Sequence, residues 1–219
     1  MKESLLRTIE DIDWITIILF CSVIAIVFAK SFFYVRFNNF IILPFNNKYI
    51  FMYNKKDKLS HWFNIFLSIF QLLNFGLFIY LANTIFFDST HEKSPFMFYT
   101  FVGLLLLFFI IKIFLHLTNA FVFNISEIIS EFLFKNITYL NYSGFIMFIA
   151  NILLTYVLRD SKTVVYVSTF LIILINVIGW VIVIRNYQKL ITNNFFYFIL
   201  YLCALEITPL VLIGDYFKD

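Results

Sequence analysis

Charge is what this sequence has least of: charged residues make up 13% of the chain, against 62% apolar residues. A soluble domain carries about 25% charged residues, so this balance, with a strongly positive mean hydropathy, excludes one and places the chain in a bilayer. Cysteine is almost missing. Cys21 and Cys203 both fall inside apolar runs, where thiols serve as small packing groups, and this excludes a disulfide framework. Glycine occurs singly, as Gly76, Gly103, Gly144, Gly179 and Gly214, so no glycine-rich loop is present to cradle a phosphate. No HExxH helix, GxSxG elbow or paired CxxC array is present either. These absences point to a non-enzymatic protein, and no cofactor is expected.

What remains is a succession of apolar runs, each long enough to cross a hydrocarbon layer of about 30 Å as a helix. The expected fold class is all-α: a polytopic membrane helical bundle forming one integral domain over residues 1–219. Six spans are expected, at about 15–33, 62–86, 96–117, 140–158, 164–184 and 195–213. The first is preceded by a leader of mixed charge unlike a cleaved signal peptide. Its Cys21, Ala25 and Ala29 form a small-residue stripe suited to close helix approach.

Two segments are too short or too polar to span. Residues 36–60, interrupted by Pro44 and paired asparagines, are expected at the membrane surface or as a shallow re-entrant loop. Residues 121–135 carry Asn124, Glu127 and Glu131 on one face and Phe123, Ile128 and Phe132 on the other, the pattern of an interfacial amphipathic helix. Three Asn-x-Ser/Thr triplets, at Asn124, Asn136 and Asn141, are expected to be unmodified.

The candidate intramembrane polar site begins in the third span, where Lys112, His116 and Asn119 recur at helical spacing on one face. An ionisable group there costs about 2.5–3.5 kcal/mol on insertion scales, which favours pairing, hydration or neutralisation. Glu206, followed by Pro209 one turn later, is the acid best placed to answer Lys112. Gln71 joins the same candidate site from the second span, whose polar face also carries His61, Asn64, Ser68 and Asn74. Such a face serves interhelical hydrogen bonds or a transport path. A buried structural pair, or a lysine reaching toward the interface, is the plainer account of Lys112.

His61, His116, Glu127 and Glu131 fall at one membrane face and offer a second candidate, imidazole and carboxylate ligands for a metal ion, although no compact motif fixes their spacing. Lys55, Lys56 and Lys58 are candidate contacts for anionic lipid headgroups, although a cytoplasmic orientation signal is the simpler account of them. No recognition fold accompanies them, so nucleic acid is not an expected partner. With six spans, Lys2, Arg7, Lys93, Arg159, Lys162 and Lys218 share one side. Lys30, Arg36, Lys48, Lys55, Lys56, Lys58, Lys135, Arg185 and Lys189 share the other. The richer side is cytoplasmic by the positive-inside rule, leaving both termini periplasmic.

Asp13-Trp14 before the first span, the aromatic surface segment, and Leu205-Glu206-Ile207-Thr208-Pro209-Leu210 in the last carry a resemblance. The chain resembles a family of uncharacterised multi-span inner-membrane proteins of Bacteroidota, over nearly its whole length. The resemblance implies a bacterial inner-membrane location and a role in the cell envelope. It highlights Glu206 and Pro209 without assigning them chemistry. The expected function is an accessory or scaffold subunit of an envelope assembly, in secretion or envelope biogenesis. Its partners are the lipid bilayer and a membrane protein or a second copy of the chain. The alternative is a small transporter or flippase for a lipid-linked or anionic substrate, working through the intramembrane Lys/His/Glu site.

Overall fold

A polypeptide in hydrocarbon has no water to satisfy its amides, so a long apolar segment must close its own hydrogen bonds as a helix. The computed structural model, which describes residues 13–44, 48–53, 61–87, 95–122 and 126–186, is helical throughout its regular structure. The helices are α1 (Asp13–Phe32), α2 (Tyr34–Ile41), α3 (Lys48–Tyr53), α4 (Trp62–Phe87), α5 (Pro95–Val122), α6 (Ser126–Ile152) and α7 (Lys162–Asn186). A π-helical turn, Leu153–Val157, extends α6. Five of these helices, namely α1, α4, α5, α6 with its π turn, and α7, are long and apolar enough to cross a membrane. The expected sixth span at 195–213 lies outside the described residues.

The core is the contact between α4 and α6. Half of the apolar window of α6 is buried and 44% of that of α4, against 6% for α5, so α5 lies at the periphery. Ser68 meets Asn141 and Asn74 meets Asn151, so position advances together along both helices and they run parallel. Parallel neighbours must be joined by a crossing segment, and α5 supplies it, packing on both. α1 runs antiparallel to α4. Its Trp14 packs edge-on against Tyr80 at 5.1 Å, while Ala29 joins Phe63 and Leu67 at the opposite end. α7 runs back along α6, with Gly179 against Tyr139 and Val165 beside Ala150 and Leu154.

Small residues set how closely these helices approach. A methyl group added at Gly144 would lie 3.1 Å from the Gln71 Cα, so α4 and α6 meet there nearly backbone to backbone. Gly76 plays the same part toward Val102 of α5. On α1 the buried stripe is Ser22, Ala25 and Ala29, and Cys21 of the expected stripe is exposed. Gly103 faces open space on α5.

Two expectations change. Residues 121–135 do not form a separate amphipathic helix, because α6 runs unbroken from Ser126 through the fourth apolar segment. Leu133, Phe134, Lys135 and Asn136 are already buried in the bundle, so the polar residues there face neighbouring helices, not a water interface. Asn136 and Asn141, the two described triplet asparagines, are likewise buried. Within the 36–60 segment, expected at the surface or as a re-entrant loop, the described residues 36–44 and 48–53 sit deeper than a surface-lying strip would. The chain bends at Phe33 into α2 and returns through α3, burying Phe37, Phe40, Leu43, Tyr49 and Ile50 at one end of the bundle. Phe40 packs there on the rings of Tyr49, Phe63, Tyr142 and Phe145.

At the opposite end the π turn closes with Leu158 donating its backbone N–H to the Leu153 carbonyl at 2.7 Å. Asp160 then takes a left-handed conformation, φ 57°, which an aspartate tolerates better than most residues. This lets α7 start at once in the reverse direction.

The glycines give a direct test. Gly144→Leu is expected to cost about 1–3 kcal/mol by forcing α4 and α6 apart, read as a lower thermal unfolding midpoint in detergent. Gly103→Ala, with nothing within 4 Å of the new methyl, is expected to leave the midpoint unchanged or raise it by the equivalent of about 0.5–1 kcal/mol.

Candidate functional site

The polar residues of α4 share one face, and that face meets α6. At the hairpin end, the Tyr49 hydroxyl donates to the Asn64 Oδ1 at 3.2 Å. Further along, the Ser68 hydroxyl donates to the Asn141 Oδ1 at 3.3 Å. Asn151 of α6 donates from Nδ2 to the Asn74 carbonyl at 2.9 Å and stands 3.4 Å from its Oδ1. The Asn74 amide turns back to donate to Phe70 O at 2.8 Å, which leaves its own oxygens to accept.

Gln71 sits between these pairs, at the closest approach to Gly144. Its Nε2, the Asn151 Oδ1 and the Thr155 Oγ1 are buried and have no hydrogen-bond partner among the described residues. A buried group left in that state costs about 1–3 kcal/mol. The seam is therefore polar along its length, tightly closed, and incompletely satisfied.

A second group of polar residues gathers at the end where α2 and α3 pack. The Arg36 guanidinium lies 4.3 Å from the centre of the Tyr53 ring and 5.5 Å from that of Phe63, a cation held over aromatic faces inside the bundle. Lys135, also buried, has its Nζ 3.9 Å from Glu131 Oε2 one turn earlier on α6. His116 is wholly buried, its ring 5.8 Å from Phe132. Rings connect the parts: Tyr53 stands 5.2 Å from Tyr49, which stacks on Phe134 at 5.9 Å, next to Lys135.

The residues of the candidate intramembrane site are not gathered at one place. His116 packs beside Phe132, whereas Gln71 lies against Gly144, twelve residues or about 18 Å further along α6. Lys112 is partly buried on α5, one turn before His116. The Asn119 side chain and the whole of Glu206 lie outside the described residues. Gln71 is taken up by the α4–α6 contact, apart from His116.

For the metal candidates, no group of three or more His, Cys, Asp and Glu comes together among the described residues. His61 accepts a hydrogen bond on Nδ1 from the Phe63 N–H at 3.2 Å and sets its ring against Phe33 at 5.0 Å, so it caps the start of α4. His116 belongs to the α5–α6 contact, Glu131 lies beside Lys135 on α6, and the side chain of Glu127 lies outside the described set. Lys55, Lys56 and Lys58 do so too.

Sequence reasoning missed Arg36 and Lys135, treating both as loop or interface cations. Their signal was present: Arg36 sits beside Phe37 and four residues before Phe40, and Lys135 interrupts the apolar run at 132–134.

The family described as a domain of unknown function (DUF4271) matches residues 15–217. No curated protein and no solved structure matches.

The seam's hydrogen bonds separate structural from spare polarity. Asn151→Leu removes the donor to Asn74 and is expected to destabilise by about 0.6 kcal/mol, up to about 1.7. Gln71→Leu removes a buried amide donor that has no partner among the described residues and is expected to be neutral or to stabilise by about 1 kcal/mol. Thermal unfolding of both variants in one detergent checks the difference in sign.

Proposed function

We propose that this chain, which belongs to the DUF4271 family, is a multi-pass protein of the bacterial inner membrane that acts as a non-enzymatic accessory or scaffold subunit of a cell-envelope assembly. The observation that carries the reading is how the polarity of α4 is used. Its amides and hydroxyls face α6 across a contact so close that a methyl group added at Gly144 would lie 3.1 Å from the Gln71 Cα, where a passage for a solute would need an open cavity. The outward side of α5 is not packed against any of the other described helices. Leu104, Leu107, Ile110 and Phe114 are more than half exposed there, and Gly103 has nothing within 4 Å. Helix association in lipid depends on van der Waals packing around small residues, and this is the kind of face that receives another helix.

Charge orients the reading. Lys30, Arg36, Lys48 and Lys135 cluster at the hairpin end, which the positive-inside rule assigns to the cytoplasm. Asp13 then starts α1 from the periplasmic side.

Photo-cross-linking in native membranes tests the scaffold role, with a benzophenone side chain placed at Leu107 or Phe114 of α5 and, as a buried control, at Leu77 of α4. The expected result is one protein partner captured from both α5 positions, not from Leu77, and lost when Leu107→Arg is introduced beside the Phe114 probe. Capture of lipid alone from α5, together with solute flux through the purified protein in liposomes, would contradict the role.

A further inference from the structure

The π turn that ends α6 leaves a groove between that helix and α7, of about 300 Å³. Ile149, Ala150 and Leu153 form one wall; Val164, Val167 and Ser168 form the other. The groove exists because Ala150 and Ser168 are small and buried at its floor, and because the π turn inserts an extra residue and shifts the wall it belongs to. Ile149 and Val167 at its lips are more than half exposed, so it opens sideways, away from the bundle. Along α7 it extends from Thr163 to Leu171, eight residues or about 12 Å. That is close to half the thickness of a hydrocarbon core of about 30 Å, the depth of one leaflet.

Two cations stand in the turn next to the Thr163 end of the groove, outside its lining. Arg159 and Lys162 flank the turn into α7, one on each side of Asp160 and Ser161. The Arg159 Nε donates to the Thr155 carbonyl at 3.2 Å, which fixes the base of the guanidinium and leaves its outer N–H groups to point elsewhere. The Lys162 Nζ stands 5.8 Å from the Phe86 ring. Neither cation is in an ion pair among the described residues. A narrow apolar slot of leaflet depth with two cations in the turn next to its end matches one chemistry, a hydrocarbon chain joined to an anionic headgroup.

We propose that the α6–α7 groove binds an anionic phospholipid, with one acyl chain lying between Ala150 and Ser168 and the phosphate held by Arg159 and Lys162. The site is separate from the cationic end at Arg36 and from the polar seam. It rests on the membrane placement above, which carbonate-resistant membrane fractionation of the full chain checks independently.

The test is native mass spectrometry of the purified full chain. It is titrated with dioleoyl phosphatidylglycerol and, separately, with dioleoyl phosphatidylcholine, which has the same chains. The unmodified protein is expected to retain the glycerol lipid with about tenfold preference, since two surface cations partly offset by Asp160 act on its headgroup. Arg159→Gln with Lys162→Gln, both at exposed positions, is expected to abolish the preference while chain binding persists. Val167→Trp, at an exposed lip, is expected to reduce binding of both lipids. No headgroup preference in the unmodified protein, or binding unchanged in both variants, overturns the proposal. So does disulfide formation between two copies of Val167→Cys in membranes at the expense of bound lipid, because the groove is then an interface between chains.

Discussion

The rest of the bundle depends on the line where α4 and α6 touch. In water, burying apolar side chains would hold two such helices together. In hydrocarbon that gain largely disappears, because a lipid tail solvates leucine as well as another leucine does. What remains is close van der Waals packing and hydrogen bonding across the interface. Gly144 gives the first, by bringing the α6 backbone against Gln71, and the Ser68–Asn141 and Asn74–Asn151 pairs give the second. These contributions are individually small and directional. They fix one register between parallel helices that apolar contact alone would leave free to slide.

The other elements follow from that register. With α4 and α6 in direct contact, α5 must cross to one side, and the small residues Ser22, Ala25 and Ala29 let α1 close on the remaining flank of α4. α2 and α3 fill one end of the bundle. They do so with aromatic rings, which supply wide dispersion contact and, at Tyr53 and Phe63, faces on which Arg36 rests. At the far end the Thr16 and Tyr156 hydroxyls meet at 2.7 Å and tie α1 to the π turn. The molecule is thus stapled by polar contacts at both ends and through the middle, between apolar outer surfaces.

Much of the fold could be read from the chain because an apolar run bounded by polar residues has one outcome in a bilayer. α4 is a helix from Trp62, where the second run begins, and α7 covers the fifth run within two residues at each end. The boundary expected near 135–140 is absent from α6 for a reason that also lies in the solvent. Asn136, Thr138 and Asn141 look like a surface in an aqueous helix, but in this bundle they are buried beside apolar core residues, so α6 continues through them. The partners of the α4 face were only half legible. Periodicity placed Asn64, Ser68, Gln71 and Asn74 on one side, but nothing in the sequence specified that α6, two spans away, would meet them. The π turn left no signal at all, since its single extra residue falls within an apolar stretch.

The central claim is that the α4 face is a closed interhelical contact and not a hydrated path. The most direct measurement is substituted-cysteine accessibility in intact membranes, with Cys21→Ser and Cys203→Ser as background and single cysteines at Ser68, Gln71 and Asn74. A membrane-impermeant thiol reagent applied from either side is predicted to leave all three unmodified while labelling a control cysteine at Ser161 in the α6–α7 turn. Labelling at all three, recurring with the helical period of that face, would mean that water reaches the seam, and the account of a closed scaffold would be wrong.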